Sequence, residues 1–321
     1  MHAAVLHALG ATPVYEAFEE PVAGDGQVIV EVAAAGVNPV DVRKASGAFV
    51  SGPPPLPSVV GSEGVGRIAD DGRRVYFGAP VAPFGAFAER TLVGEEDPIE
   101  LPDALDDGVA VALGVSGLAA WLSLAWRAQL RPGETVLVLG ATGIVGQLAV
   151  QAARLLGAGR VVAAGRDAAM LERTRELGAD ATVDLTAAGS AEGLTAAFRE
   201  AAGGDVDVVH DPLWGAPAAA AVEALGVDGR IVQLGQSAGA EATFASAPIR
   251  GRHLNVLGYF NFLVPPDVRR DGYRALVEHA VAGRIAVDVE RLPLAQVADA
   301  WERVQRSAHR KLVLVPAAQA G

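Results

Sequence analysis

Residues 136–146 constrain the fold more than any other part of the chain. A short apolar run, Val136 to Leu139, ends in three glycines, Gly140, Gly143 and Gly146, each separated by two residues. An apolar-periodic segment then continues through Leu156. The spacing predicts a buried strand, a tight turn and a helix whose first turn can receive a phosphate. Gly143 leaves room for close approach to a pyrophosphate, and Gly146 lets the helix pack tightly on the sheet. Strand before, helix after and a second strand next form the context that separates a dinucleotide site from an ordinary glycine turn. The turn residues Gly140, Thr142, Gly143, Ile144 and Val145 are therefore candidate cofactor contacts.

The texture around this turn is α/β. Strands are expected at 135–139, 160–164, 181–183, 206–209 and 230–234, with helices at 147–156, 168–177, 194–202 and 216–225. Such alternation with short loops implies a parallel sheet covered on both faces, and 255–259 supplies a sixth strand at its edge. From Met1 to about Leu113 the pattern is instead β-rich and irregular. Strands are expected at 28–32, 65–68 and 86–92, separated by Gly and Pro clusters that include an extended loop over 52–57. Near the C-terminus a helix at 294–301 and a strand at 311–315 follow, and that strand would most naturally return to the β-rich part.

Composition excludes several functions. The chain of 321 residues has no cysteine, so disulfides and thiolate-bound metals are ruled out. Its net charge of -12 argues against nucleic acid and anionic membranes as partners. No uninterrupted apolar stretch has the length of a bilayer span, and the first residues lack the pattern of a signal peptide, so a cytoplasmic location is expected. Lys44 and Lys311 are the only lysines, a bias that reads as a GC-rich coding sequence rather than chemistry.

Five ordered landmarks then carry a resemblance. They are Asn38-Pro39-Val40-Asp41, Gly61-Ser62-Glu63-Gly64-Val65-Gly66, the glycine turn, Leu234-Gly235 and Lys311-Leu312-Val313-Leu314. Together they resemble the zinc-free quinone oxidoreductases of the medium-chain dehydrogenase/reductase superfamily, over essentially the whole chain. The resemblance implies a GroES-like catalytic domain, residues 1–118 and 258–321, around a Rossmann domain, residues 119–257, with the active site where they meet. It also implies a homodimer joined through the 255–259 edge. In the zinc-dependent branch a cysteine ligand sits at the position of Asn38 and a histidine ligand at that of Ser62. Neither replacement is a credible zinc ligand, and the six histidines show no ligand spacing, so no metal is expected. Glu63 reads as a structural carboxylate tied to backbone or arginine.

Cofactor choice is read about 20 residues beyond the glycine turn. Here stand Gly165, Arg166 and Asp167. The Arg166 guanidinium offers a planar donor fork to a 2′-phosphate, so NADPH is expected over NADH. Asp167 either caps the next helix or binds the ribose. Arg173 either supplements Arg166, where relatives place a lysine at Ala169 and a tyrosine at Leu185, or is a solvated helix residue.

By resemblance, Asn38 and Asp41 line the cleft near the nicotinamide or support its wall, and Leu234, Gly235 and Gln236 lie along the nicotinamide ribose and carboxamide. Ser116 stands in for a threonine contact whose position is Ala119. Proton delivery is less defined. Enoyl-thioester reductases carry a tyrosine acid at the position of Phe49, which has no proton to give. Arg43 is a candidate for binding the substrate carbonyl or, equally, a surface ion-pair residue. Tyr259 and Asn261 are candidates for covering the substrate pocket or for edge packing. His210 reads as a wall residue rather than a catalyst. Three functions stay open: an NADPH-dependent reductase of quinones or other conjugated carbonyls, a dedicated enoyl or ketone reductase of a biosynthetic pathway, and an NADPH-binding protein with a structural or regulatory role.

Overall fold

In the computed structural model the chain divides into two compact units, Met1–Val115 with Val277–Gly321, and Ser116–Leu276. The structure describes residues 1–187, 189–306 and 308–317.

The second unit is built on a six-stranded, wholly parallel sheet. Its strands run in the order Ala181–Asp184, Arg160–Gly165, Thr135–Val138, Val206–Asp211, Leu225–Gln233, Asn255–Gly258. The chain winds outward from Thr135–Val138 in one direction and then in the other, which is the doubly wound Rossmann order with its switch point beside that strand. Continuous apolar strands follow from burial on both faces: Val136, Leu137, Val138, Val161, Val162, Val208, Val209, Ile231 and Val232 are all buried. Helices Ile144–Leu155, Ala168–Glu176, Ala191–Ala202 and Gly215–Ala224 alternate with the strands, as the sequence predicts.

The fifth strand, Leu225–Gln233, starts well before the expected 230. Gly226, Asp228 and Gly229 look like a turn in sequence, and Asp228 does adopt φ +57°, yet the chain stays paired around them with a register shift.

In the first unit a seven-stranded sheet has Gln27–Gly36 at its centre, paired antiparallel with Gly64–Ile68, Arg90–Gly94 and Lys311–Val315. The last strand returns here from the far end of the chain, matching Val313 with Gly36 and Leu314 with Ala35. A smaller sheet joins Val14–Ala17, His2–Leu6 and Ser58–Val59. The apolar faces of both sheets and of the helix Val297–Gln305 close over Leu6, Val30, Phe77, Phe87, Trp301 and Leu314.

One helical run among the described residues, Asp107–Ala128, is long and apolar enough by composition to cross a membrane. The sequence reading missed that length because Gly114, Ser116, Gly117 and Ser123 break the apolar run, whereas the chain stays coiled through them with a kink at Gly114. Most of the run, 78% of the apolar window, is buried inside the protein.

Candidate active site

The predicted cofactor residues of the second unit gather at the carboxyl ends of its strands. Gly140 takes φ +61°, a backbone state that favours glycine, and turns the chain off Thr135–Val138. The Gly143 N–H donates to Gly140 O at 3.1 Å, and Gly143 caps the helix Ile144–Leu155. Gly165 and Arg166 end the neighbouring strand, and Leu234, Gly235 and Gln236 follow Leu225–Gln233. The Leu234 N–H donates to Asp211 O at 2.9 Å, so this loop is tied to the end of Val206–Asp211.

The three glycines have different duties. A Cβ at Gly146 would collide with Gly140 O and Ala141 Cα, and one at Gly165 with Thr142 Cγ2, so both are required by the protein's own packing. A Cβ at Gly143 would come no nearer than 3.6 Å to any atom, so packing does not account for that glycine. We expect Gly146→Ala to destabilise the protein by about 1–3 kcal/mol in urea unfolding. Gly143→Ala should leave the unfolding midpoint almost unchanged and weaken dinucleotide binding, read by titrating nicotinamide fluorescence. Equal loss of stability in both variants would remove the distinction.

Arg166 is exposed and ion-pairs with no described residue, whereas Asp167 caps the helix Ala168–Glu176 through Met170 N–H, which donates to Oδ1 at 3.0 Å. Arg173 pairs with Glu176 at 2.6 Å on the same helix. Ser116 is buried in the coiled segment Leu113–Gly117.

Tyr259 stands just past the edge strand, its hydroxyl donating to Asn261 Oδ1 at 2.6 Å and lying 3.1 Å from Leu118 O. Burial raises the phenol pKa well above its ordinary value. That proton is held by internal acceptors, which is the behaviour of a packing residue.

His210 is fully buried, its Nδ1 2.9 Å from Ser123 Oγ, and burial lowers its pKa to about 3. It is a neutral wall residue. Burial also raises the neighbouring Asp211 to about 6, while its Oδ1 accepts from Leu213 and Trp214 N–H at 2.8 Å each. Trp214 itself holds φ +58° and ψ −160°, a region almost reserved for glycine, and was not singled out from the sequence.

The first unit contains a buried polar network that the sequence only outlined. Asn38 precedes the helix Pro39–Ala45, whose first turn Asp41 closes by accepting from Asn38 N–H at 2.9 Å. The other Asp41 oxygen accepts from Ser62 Oγ at 2.6 Å, and Ser62 Oγ accepts in turn from Lys44 Nζ at 2.9 Å. Asn38 Nδ2 donates to Glu63 Oε1 at 2.8 Å. Lys311 Nζ donates to the same oxygen at 2.8 Å and to Asn38 Oδ1 at 2.7 Å. Glu63 Oε2 accepts from Tyr76 OH at 3.1 Å and Val115 N–H at 2.6 Å. Glu63 is thus tied to backbone as expected, but its cation is lysine rather than arginine. A Cβ at Gly114 would overlap Glu63 Oε2, which explains the glycine at that kink.

Burial raises the Asp41 pKa and lowers that of Lys44, each partly opposed by the other's charge. Arg43 lies on the same helix but is exposed and takes no part in the network.

Sequence reasoning missed both lysines. The available signal was that only two of 26 basic residues are lysine, and both converge here. The donor set does not fit a zinc ion: the carboxylate and amide that would ligate it already bond an ammonium, and a second ammonium bonds Ser62. Among the described residues no group of His, Asp and Glu could hold a metal ion.

A GroES-like unit paired with a doubly wound dinucleotide fold defines an oxidoreductase class, and the comparisons with known proteins agree. Residues 24–103 match the alcohol dehydrogenase GroES-like domain, and residues 145–278 the zinc-binding dehydrogenase model. A quinone oxidoreductase of Pseudomonas aeruginosa is 30% identical over 76% of this chain and 73% of its own. The crystal structure of the quinone oxidoreductase from Thermus thermophilus, also determined with NADPH, superposes with a TM-score of 0.79 at 31% identity. That match covers 98% of this chain and 100% of the other. A phenolphthiocerol/phthiocerol polyketide synthase polypeptide of Mycobacterium tuberculosis is 32% identical over 98% of this chain, which spans only 14% of that synthase. The chain belongs to the medium-chain dehydrogenase/reductase superfamily, among its quinone oxidoreductase-like members.

Proposed function

We propose that the protein is a metal-independent reductase that uses NADPH to transfer hydride to a quinone or another conjugated carbonyl. The observation that carries this reading is at the strand ends of the second unit, where the open turn at Gly143 is accompanied by the exposed guanidinium of Arg166, which has no ion-pair partner among the described residues. Gly140, Thr142, Gly143, Ile144 and Val145 would hold the pyrophosphate. Gly165 and Arg166 would take the adenosine 2′-phosphate, and Leu234, Gly235, Gln236 and Ser116 the nicotinamide half. When bound, NADPH supplies the hydride; the protein supplies placement and polar groups. Asn38 and Asp41 serve the acceptor. Arg43, being exposed, and Tyr259, with its proton held internally, are weaker candidates for chemistry than the sequence suggested.

The test is NADPH oxidation across a panel of simple quinones and enones, with and without a chelator. Turnover unaffected by the chelator is expected. Failure with every acceptor, despite NADPH binding, would favour a structural or regulatory cofactor-binding protein. The similarity to the polyketide synthase supports a second reading, a dedicated enoyl reductase, which predicts poor quinone turnover and strong turnover of one α,β-unsaturated thioester. A homodimer is also part of the proposal, supported by the strand Asn255–Gly258, which pairs on one side only among the described residues.

A further inference from the structure

The two lysines of the buried network are held in different ways. Lys311 is enclosed and donates directly to the Glu63 carboxylate. Lys44 is half-buried and reaches its carboxylate through a neutral hydroxyl: Nζ donates to Ser62 Oγ at 2.9 Å, and that hydroxyl donates to Asp41 Oδ1 at 2.6 Å. Its Nζ also stands 5.3 Å from the centre of the Phe49 ring, which offers a π-face and no proton. Charged groups acting on Lys44 include Asp41, one turn back on its own helix, and Glu63. Desolvation outweighs both and makes the ammonium a stronger acid than an ordinary lysine. An acid in a reduction must give up a proton and then be reloaded from water. Among Asp41, Lys44, Glu63 and Lys311, Lys44 alone has both a proton-bearing cationic head and partial exposure.

We propose that Lys44 is the proton donor of the reduction, oriented by Ser62 and Asp41. The assignment rests on the reductase reading above. With an enone as acceptor, NADPH bound at the proposed site would supply the hydride, with its electron pair, that forms a C–H bond at the β-carbon. The π pair moves to the carbonyl oxygen as an enolate. An Nζ–H bond of Lys44 breaks, the proton joins the enolate, and Lys44 is left as a neutral amine that water reprotonates. The sum is one NADPH and one proton consumed and one NADP⁺ formed per acceptor reduced. Ser62 is a positioning residue, fixing Nζ while Asp41 fixes Ser62.

The experiment measures kcat and KM for an enone from neutral to alkaline pH in wild type, Lys44→Met, Lys44→Arg and Lys44→Ala. NADPH affinity is measured on the same proteins by fluorescence. Removing a general acid should lower kcat by about 10²–10⁴-fold, with NADPH affinity changed only slightly. Lys44→Arg should be about as slow as Lys44→Met, since a guanidinium keeps its proton. Ethylammonium in the buffer should restore part of the Lys44→Ala rate. Wild-type kcat/KM should fall as alkaline pH removes the Lys44 proton, and Lys44→Met should lack that fall. Lys44→Arg retaining near-wild-type kcat, or Lys44→Met keeping the alkaline fall, would overturn the assignment while leaving the reductase reading intact. Absence of turnover by the wild type with every acceptor would remove both.

Discussion

Replacing Arg166 with alanine is expected to raise the KM for NADPH by about 10- to 100-fold, the range given by loss of a charge-assisted pair, and to leave the KM for NADH within about two-fold. Steady-state kinetics with both cofactors and one acceptor measure this. Arg166 is exposed just past the end of Arg160–Gly165, with no ion-pair partner among the described residues, so its removal breaks no ion pair among them. Its neighbour Asp167, which in another geometry would repel a 2′-phosphate, is turned to the helix it caps. The next cation along, Arg173, is paired with Glu176. The expected selectivity therefore falls on one side chain. A parallel rise for both cofactors would show that Arg166 supports the strand end rather than the phosphate.

Lys311→Met should lower unfolding stability by about 3–5 kcal/mol, the usual result of removing one partner from a buried ion pair. Glu63 has no exposed surface, and among the described residues Lys311 is the one cation in direct ion-pair contact with it. Asn38 Nδ2, Tyr76 OH and Val115 N–H continue to donate to it, but none neutralises a charge. The double variant Lys311→Met with Glu63→Gln should recover much of the loss, because a neutral amide can keep hydrogen bonds without its own countercharge. Urea unfolding of the cofactor-free protein reads both. A single variant as stable as the wild type would mean that water reaches Glu63.

The glycine turn and the parallel sheet were legible because each rests on local rules. A two-residue spacing of glycines, a switch from β-rich irregularity to strand–helix alternation and buried apolar strands are all visible within short windows of sequence. The doubly wound half of the predicted fold class follows from them; the GroES-like half and the family came from the resemblance carried by the five ordered landmarks. The Leu225 strand was misjudged at its start because Gly226 and Gly229 carry a turn signature that pairing across the sheet overrode. The apolar run through Gly114 was read as broken because local propensity cannot show that a glycine makes room for a carboxylate from elsewhere in the chain.

At the proposed site, residue type at fixed spacing was enough to nominate the phosphate turn and the cation at Arg166, and the lack of cysteine to exclude thiolate ligands. The roles of Lys44 and Lys311 came from the folded chain alone. Lys311 meets Asn38 across 273 positions and Glu63 across 248, distances over which no periodicity carries information. Their meeting depends on the last strand returning to pair with Gln27–Gly36, which sets Lys311 directly on a carboxylate and leaves Lys44 partly exposed behind a hydroxyl.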